Sequence, residues 1–281
     1  MSENKLPAVT QKNIADNVLA RVNEFQSTGE LTIPQDYSPE NALKSAWLIL
    51  QQTKTKEGKP VLEVCTKDSI ANALLDMVVQ GLSPMKKQGD FITYGTTLVW
   101  QREYTGNIAL AKRFGNLDKI HANVVYDKDD FVYTVVPETG VKKLVKHDQK
   151  MENIDNSKIR GAYAVCIYKD GSTTLEIMNI DMIKKAWQQG AAKGTSGAHT
   201  NFTDQMCIKT VINRATKLIF RESSDVAIIA DRDEQDRVIE NSQSEIANNA
   251  NQETIDTPVT VVESNQPEQE EQQQSQPEIK F

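Results

Sequence analysis

Wound at 100° per residue, the segment "TDQMCIKTVINRATKLIFR" brings Arg214, Lys217 and Arg221 within about a sixth of a turn of one another. Lys209 flanks them, while Ile208, Val211, Ile212, Ala215, Leu218 and Ile219 form a broad apolar stripe on the opposite face. No carboxylate stands among these cations, whereas an ordinary solvated face mixes acid and base at i, i+4. Such a face suits contact with a polyanion, and simple solvation is the plainer alternative. A second cationic pair, Lys112 and Arg113, closes "YTGNIALAKRFG", whose Tyr104, Ile108 and Ala111 share one side. Cations at a helix C-terminus also offset the macrodipole, which accounts for part of that pair. "PMKKQGD" adds Lys86, Lys87 and Gln88, and "MIKKAW" adds two lysines beside Trp187. Cations interleaved with aromatics fit a single nucleic-acid strand, the cations tracking phosphates and the rings stacking on bases. Trp100, Tyr104 and Trp187 are the rings available, with core packing the competing role.

Catalytic chemistry finds little support. His121, His147 and His199 lie in unrelated contexts, and there is no HExxH, no Cys plus His metal spacing and no GxxxxGK[ST] phosphate loop. "GAAKGTSG" follows a helical pattern, not a strand, and reads as a loop. The sequence therefore predicts no catalytic residues, no metal site and no ATP site, with Mg²⁺ at most an aid to a polyanion-binding role.

The overall charge of −7 hides a division along the chain. From Ser223 onward three basic residues stand against fourteen acidic ones, a net of −11, so residues 1–222 carry a net of +4. An acidic whole-chain balance thus conceals a basic body. Three cysteines without a disulfide pattern, and no apolar run of eighteen residues, point to a cytoplasmic protein with no membrane partner.

These residues need elements to position them. "NIADNVLARVNEF" and "SPENALKSAWLILQQ" read as helices, the second with Ser38 as N-cap and Pro39 at its first position. "TKDSIANALLDMVVQGLSP" is a third helix, stopped at Gly81 with Pro84 beyond. Short β-branched and aromatic runs follow: "DFITYGTTLVWQ" as a first strand, then "KIHANVVY", "DFVYTVVP", "GAYAVCIY" and "TTLEIMNI", with "DKDD" and "KDG" as turns. At least two hairpins are expected. The class is α+β, a largely antiparallel sheet of hairpins with helices packed on it. Residues 1–37 are expected to be a helical region used in packing or assembly, 38–222 the core, and 223–281 an acidic tail. Within that tail 224–240 has room for one short helix, and 240–281 reads as disordered from its Gln, Glu and Pro content.

The order of motifs is similar to that of the RecT family of phage-type single-strand annealing recombinases. The resemblance spans roughly residues 40–222 and is carried by the "QGLSP" helix end, "YTGNIALAKRFG" and "MCIKTVINRATK". It implies a core like that of the Red beta recombinases. It further implies an ATP-independent protein that binds single-stranded DNA, anneals complementary strands in recombination, forms rings or helical filaments, and acts in a bacterial host beside a 5′ to 3′ exonuclease. Family members often carry Arg at the position of Thr105, so no DNA role passes to that residue; Arg102 is the cation close by. The residues expected at the DNA are therefore Lys86, Lys87, Gln88, Trp100, Arg102, Tyr104, Lys112, Arg113, Lys209, Arg214, Lys217 and Arg221. Two other classes compete: a metal-dependent nuclease, which would need clustered carboxylates, and a phage scaffold protein, whose assembly would not need nucleic acid. The acidic tail is expected to screen the basic surface or engage a protein partner.

Overall fold

The structure, a computed structural model, describes residues 8–190 and 192–221; the expectations for residues 1–7 and 222–281 lie outside it. Its helices are α1 (Ala8–Ser27), α2 (Pro39–Gln52), α3 (Val61–Val64), α4 (Lys67–Val79), α5 (Tyr104–Phe114), α6 (Ile180–Trp187), α7 (Gly197–Asn201) and α8 (Thr203–Arg221). The strands are β1 (Gly89–Tyr94), β2 (Thr97–Arg102), β3 (Leu117–Tyr126), β4 (Asp130–Val135), β5 (Lys142–Asp148), β6 (Ile159–Tyr168) and β7 (Thr173–Asn179). The chain is α+β, and every strand pair is antiparallel.

Three separate sheets replace the expected single one: β1-β2, β3-β6-β7 and β4-β5. "DFITYGTTLVWQ" is not one strand but a tight hairpin, with Tyr94 facing Thr97 across Gly95 and Thr96. Gly95 takes φ +60°, the left-handed conformation that a two-residue hairpin turn requires. β3 does not pair with β4 across "DKDD"; it pairs with β6 through nine residue pairs, and β4 pairs with the lysine-rich β5, which the alternation of apolar residues does not reveal.

The start of α2 and the end of α4 form where the sequence places them, whereas α1 begins at Ala8, ahead of the expected segment. Ser38 caps α2 by accepting from the Asn41 N–H, and Thr66 caps α4 by accepting from the Ser69 N–H. α4 stops in a Schellman arrangement, in which the Leu82 N–H donates to Met77 C=O at 3.1 Å and the Gly81 N–H to Val78 C=O at 2.8 Å. Gly81 sits at φ +62°, and a Cβ there would lie 2.6 Å from the Arg113 guanidinium.

Two main cores result. Val18 and Val22 of α1 pack with Leu43, Leu50, Ile70, Leu74, Met77, Leu82, Phe91, Trp100 and Leu110, so α1 shares a core with α4 and the β1-β2 hairpin. The second joins the β3-β6-β7 sheet to α8 through Leu117, Val124, Ala164, Met178, Cys207, Val211 and Ile219. α5 lies between them, giving Leu110 to the first and Ala111 to the second. All three cysteines are buried, and burial pushes the Cys166 thiol up to about 11 and Cys207 up to about 12, so neither is a thiolate nucleophile at neutral pH. Among the described residues no helix is long and apolar enough to cross a membrane.

Candidate nucleic-acid interface

The junction of the two cores is polar and gathers four of the cations singled out above, Lys86, Lys87, Arg102 and Lys209. Its centre is Asn107, buried on α5: its Nδ2 donates to Asn213 Oδ1 on α8 at 2.9 Å, and its Oδ1 accepts from Arg102 Nε at 3.2 Å. Arg102, at the end of β2, also donates from Nη1 to Gln80 Oε1 at 3.3 Å. Side chains from four elements or their ends are thereby locked together, as a buried polar group requires.

At the N-terminal end of α5 a short turn is pinned against this junction. Ser83 and Gln88 clasp each other in both directions, the Ser83 N–H donating to Gln88 Oε1 at 2.9 Å and the Gln88 N–H to Ser83 C=O at 3.3 Å. The Glu103 N–H donates to Gln88 C=O at 3.0 Å, and the Thr105 hydroxyl donates to Lys87 C=O. Gly106 lies so close that a Cβ would fall 2.2 Å from the Gln88 carbonyl oxygen; only glycine permits this approach. Gln88 therefore serves the loop with its side chain, while Lys86 and Lys87 are exposed at its tip. Tyr104, half-buried, opens α5 beside it.

The basic face of α8 is less bare than its spacing implies. Lys209 pairs with Glu103, the residue preceding α5, and Arg214 Nε lies 2.8 Å from Glu176 Oε1 on β7. Both carboxylates come from other elements, which a helical wheel cannot show. Arg214 is still about half exposed, a surface pair that contributes little to stability and leaves its charge accessible. Lys217 is half-buried and engaged in its own interactions, and the side chain of Arg221 lies outside the described residues.

Two expected contacts move to structural roles. Trp100 is 3% exposed and packs on Phe91 with ring centroids 5.0 Å apart, so it belongs to the core and offers no face to a base. Arg113 turns away from Lys112 and caps α4: Nη1 donates to Gln80 C=O at 2.9 Å and Nη2 to Gly81 C=O at 3.3 Å. Burial lowers its pKa, opposed by the nearby Asp36 and Tyr37. Lys112 is exposed. Trp187 is half-buried, its Nε1 donating to Thr210 Oγ1 at 2.7 Å and its ring against His199.

The arrangement thus brings Lys86, Lys87, Gln88, Arg102, Tyr104 and Lys209 to one end of α5, with Lys112 about 12 Å further along the helix axis at 1.5 Å per residue. Among the described residues no group of three or more His, Cys, Asp or Glu is placed to hold a metal ion. Nothing in the sequence marks Glu103, Asn107, Asn213 or Glu176; the two asparagines lie in "YTGN" and "VINRA", where the helical spacing points to other residues.

Comparison with known proteins adds an independent line. Protein RecT of Escherichia coli (strain K12) is 25% identical over 228 residues, covering 77% of this chain and 79% of that protein. The sequence profile of the RecT family matches residues 40–248, a span that runs from the first turn of α2 through α8 and takes in the whole junction just described, and the chain belongs to the RecT family.

Proposed function

We propose that this protein binds single-stranded DNA and anneals complementary strands in recombination, without ATP and as an oligomer. The observation that carries the reading is the cationic end of α5, where exposed Lys86 and Lys87 sit on a hydrogen-bonded turn beside Arg102 and Lys209, in a chain of the RecT family. Annealing needs two polyanions held close while their base edges stay free to pair. Cations that touch phosphates lower the repulsion and carry no sequence information, so pairing itself does the selecting. The body's net charge of +4 is small against a long strand. Copies joined head to tail supply the remaining contacts, and linked weak sites gain affinity through effective concentration. A 5′ to 3′ exonuclease is the activity that would expose the strands, and Mg²⁺ would act by screening alone.

The reading is tested by the salt dependence of binding to unstructured oligonucleotides of different sequence. We expect similar affinities across sequences and log K falling with log salt by about 0.7 per neutralised phosphate. Salt-insensitive binding, or shortening of labelled strands in Mg²⁺, would favour the nuclease; assembly of equal size with and without oligonucleotide would favour a scaffold.

A further inference from the structure

We propose that Met85 is a wedge that enters a base step of the bound strand, an inference that rests on the annealing reading above. The turn Ser83–Gln88 has the sequence SPMKKQ, with no carboxylate, and its tip presents Met85, Lys86 and Lys87 together. Met85 is 68% exposed, between buried Pro84 and a lysine pair. Turn tips favour small polar residues and Gly or Pro, and folding gains nothing from an apolar side chain held out in water at this one.

The tip is also rigid. Beyond the Ser83–Gln88 clasp, the Lys86 N–H donates to Ser83 C=O at 3.2 Å and the Lys87 N–H to Pro84 C=O at 3.0 Å. Lys87 holds φ 55°, one of three non-glycine residues with positive φ among the described residues, and its carbonyl is fixed by Thr105. Residues in such conformations persist where the surroundings over-determine them, and they cluster at functional sites. An apolar side chain on a pre-ordered tip loses little freedom on binding. Methionine is unbranched and polarizable, and it is among the residues that proteins insert between stacked bases. Two lysines on the same tip would hold the phosphate on the near side of the opened step. A strand interrupted at regular intervals is stacked in short runs with its pairing edges turned outward, which is the form in which complementarity can be tested.

The experiment uses the full chain and an oligonucleotide carrying 2-aminopurine, whose fluorescence rises when it is unstacked. Wild-type protein is expected to raise the fluorescence on binding. Met85→Ala should lose most of that rise and weaken binding on the order of ten-fold while leaving the salt slope unchanged. Met85→Leu should restore both. Met151→Ala, a still more exposed methionine between Lys150 and Glu152, should behave as wild type. Met85→Ala that matches wild type in fluorescence and affinity overturns the wedge. Wild-type protein that binds without any rise overturns the wedge alone, whereas wild-type protein that fails to bind overturns the annealing reading and the wedge with it.

Discussion

Lys112 and Arg113 are adjacent in sequence and differ in surroundings. Lys112 is exposed, while the Arg113 guanidinium donates to the carbonyls of Gln80 and Gly81 at and just past the C-cap of α4, where the chain leaves the helix. Arg113→Ala should therefore lower stability by about 1–3 kcal/mol, the cost of stranding buried acceptors, as read by urea denaturation. Arg113→Lys should recover only part of the loss, since an ammonium cannot reproduce the two-pronged contact. Lys112→Ala should leave the denaturation midpoint in place and reduce the salt slope of DNA binding by roughly one contact. Equal stability of all three variants would remove Arg113 from the helix end. The sequence showed the pair but not the split, because the acceptors lie some thirty residues away, at Gln80 and Gly81. Trp100 is a similar case: its type is compatible with stacking on a base or with a core, and only the pairing of Phe91 with Trp100 across β1 and β2 decides.

At the scale of elements, the β4-β5 hairpin is fastened to the sheet by a buried relay. Asp129, its side chain fully buried, accepts from the Tyr126 N–H at 2.9 Å and Gln149 Nε2 at 2.8 Å, and its Oδ2 lies 3.2 Å from His147 Nε2. His147 Nδ1 lies 3.0 Å from the Tyr163 hydroxyl on β6. Burial alone would raise the Asp129 carboxyl; the hydrogen bonds from Gln149, Tyr126, His147 and Asn153 together hold it below the ordinary range. A lowered folded pKa means stability that is present above the unfolded value, near 4, and is lost as pH falls through the folded one. Amide exchange in β4 and β5 should therefore accelerate, relative to β3 and β6, as pH drops below about 4, and Asp129→Asn should abolish that pH dependence. Protection that falls equally in all four strands would contradict the anchor. This hairpin was half legible. β4 shows as "DFVYTVVP", but β5 reads as a lysine-rich stretch because its outward residues are charged, as in Lys146 between Asp130 and Asp148. By contrast α4 was legible along its length, since its apolar residues and its Gly81 stop are local, and only its Thr66 cap came from the structure. Contacts between elements, such as Lys209 with Glu103, are set by packing and leave no local trace.

For the whole molecule the division of charge is the governing feature. A body of net +4 and a segment of net −11 share one chain, and we propose that the segment, as a tethered polyanion, competes with DNA for the basic surface. Removing residues 241–281 deletes eight carboxylates and one lysine. We expect the truncated protein to bind single strands more tightly at low salt and to converge with the full chain as salt rises, because screening erases the competition. Identical binding curves at every salt concentration would leave the tail without a role at the DNA. The central claim, that this chain anneals DNA, is tested most directly by mixing complementary fluorescent oligonucleotides with the full-length protein in the absence of ATP. The account predicts pairing well above the spontaneous rate, slowed by high salt and by Lys86→Ala with Lys87→Ala. Pairing no faster than in buffer alone, under conditions where the protein is folded and saturates the strands, would contradict it.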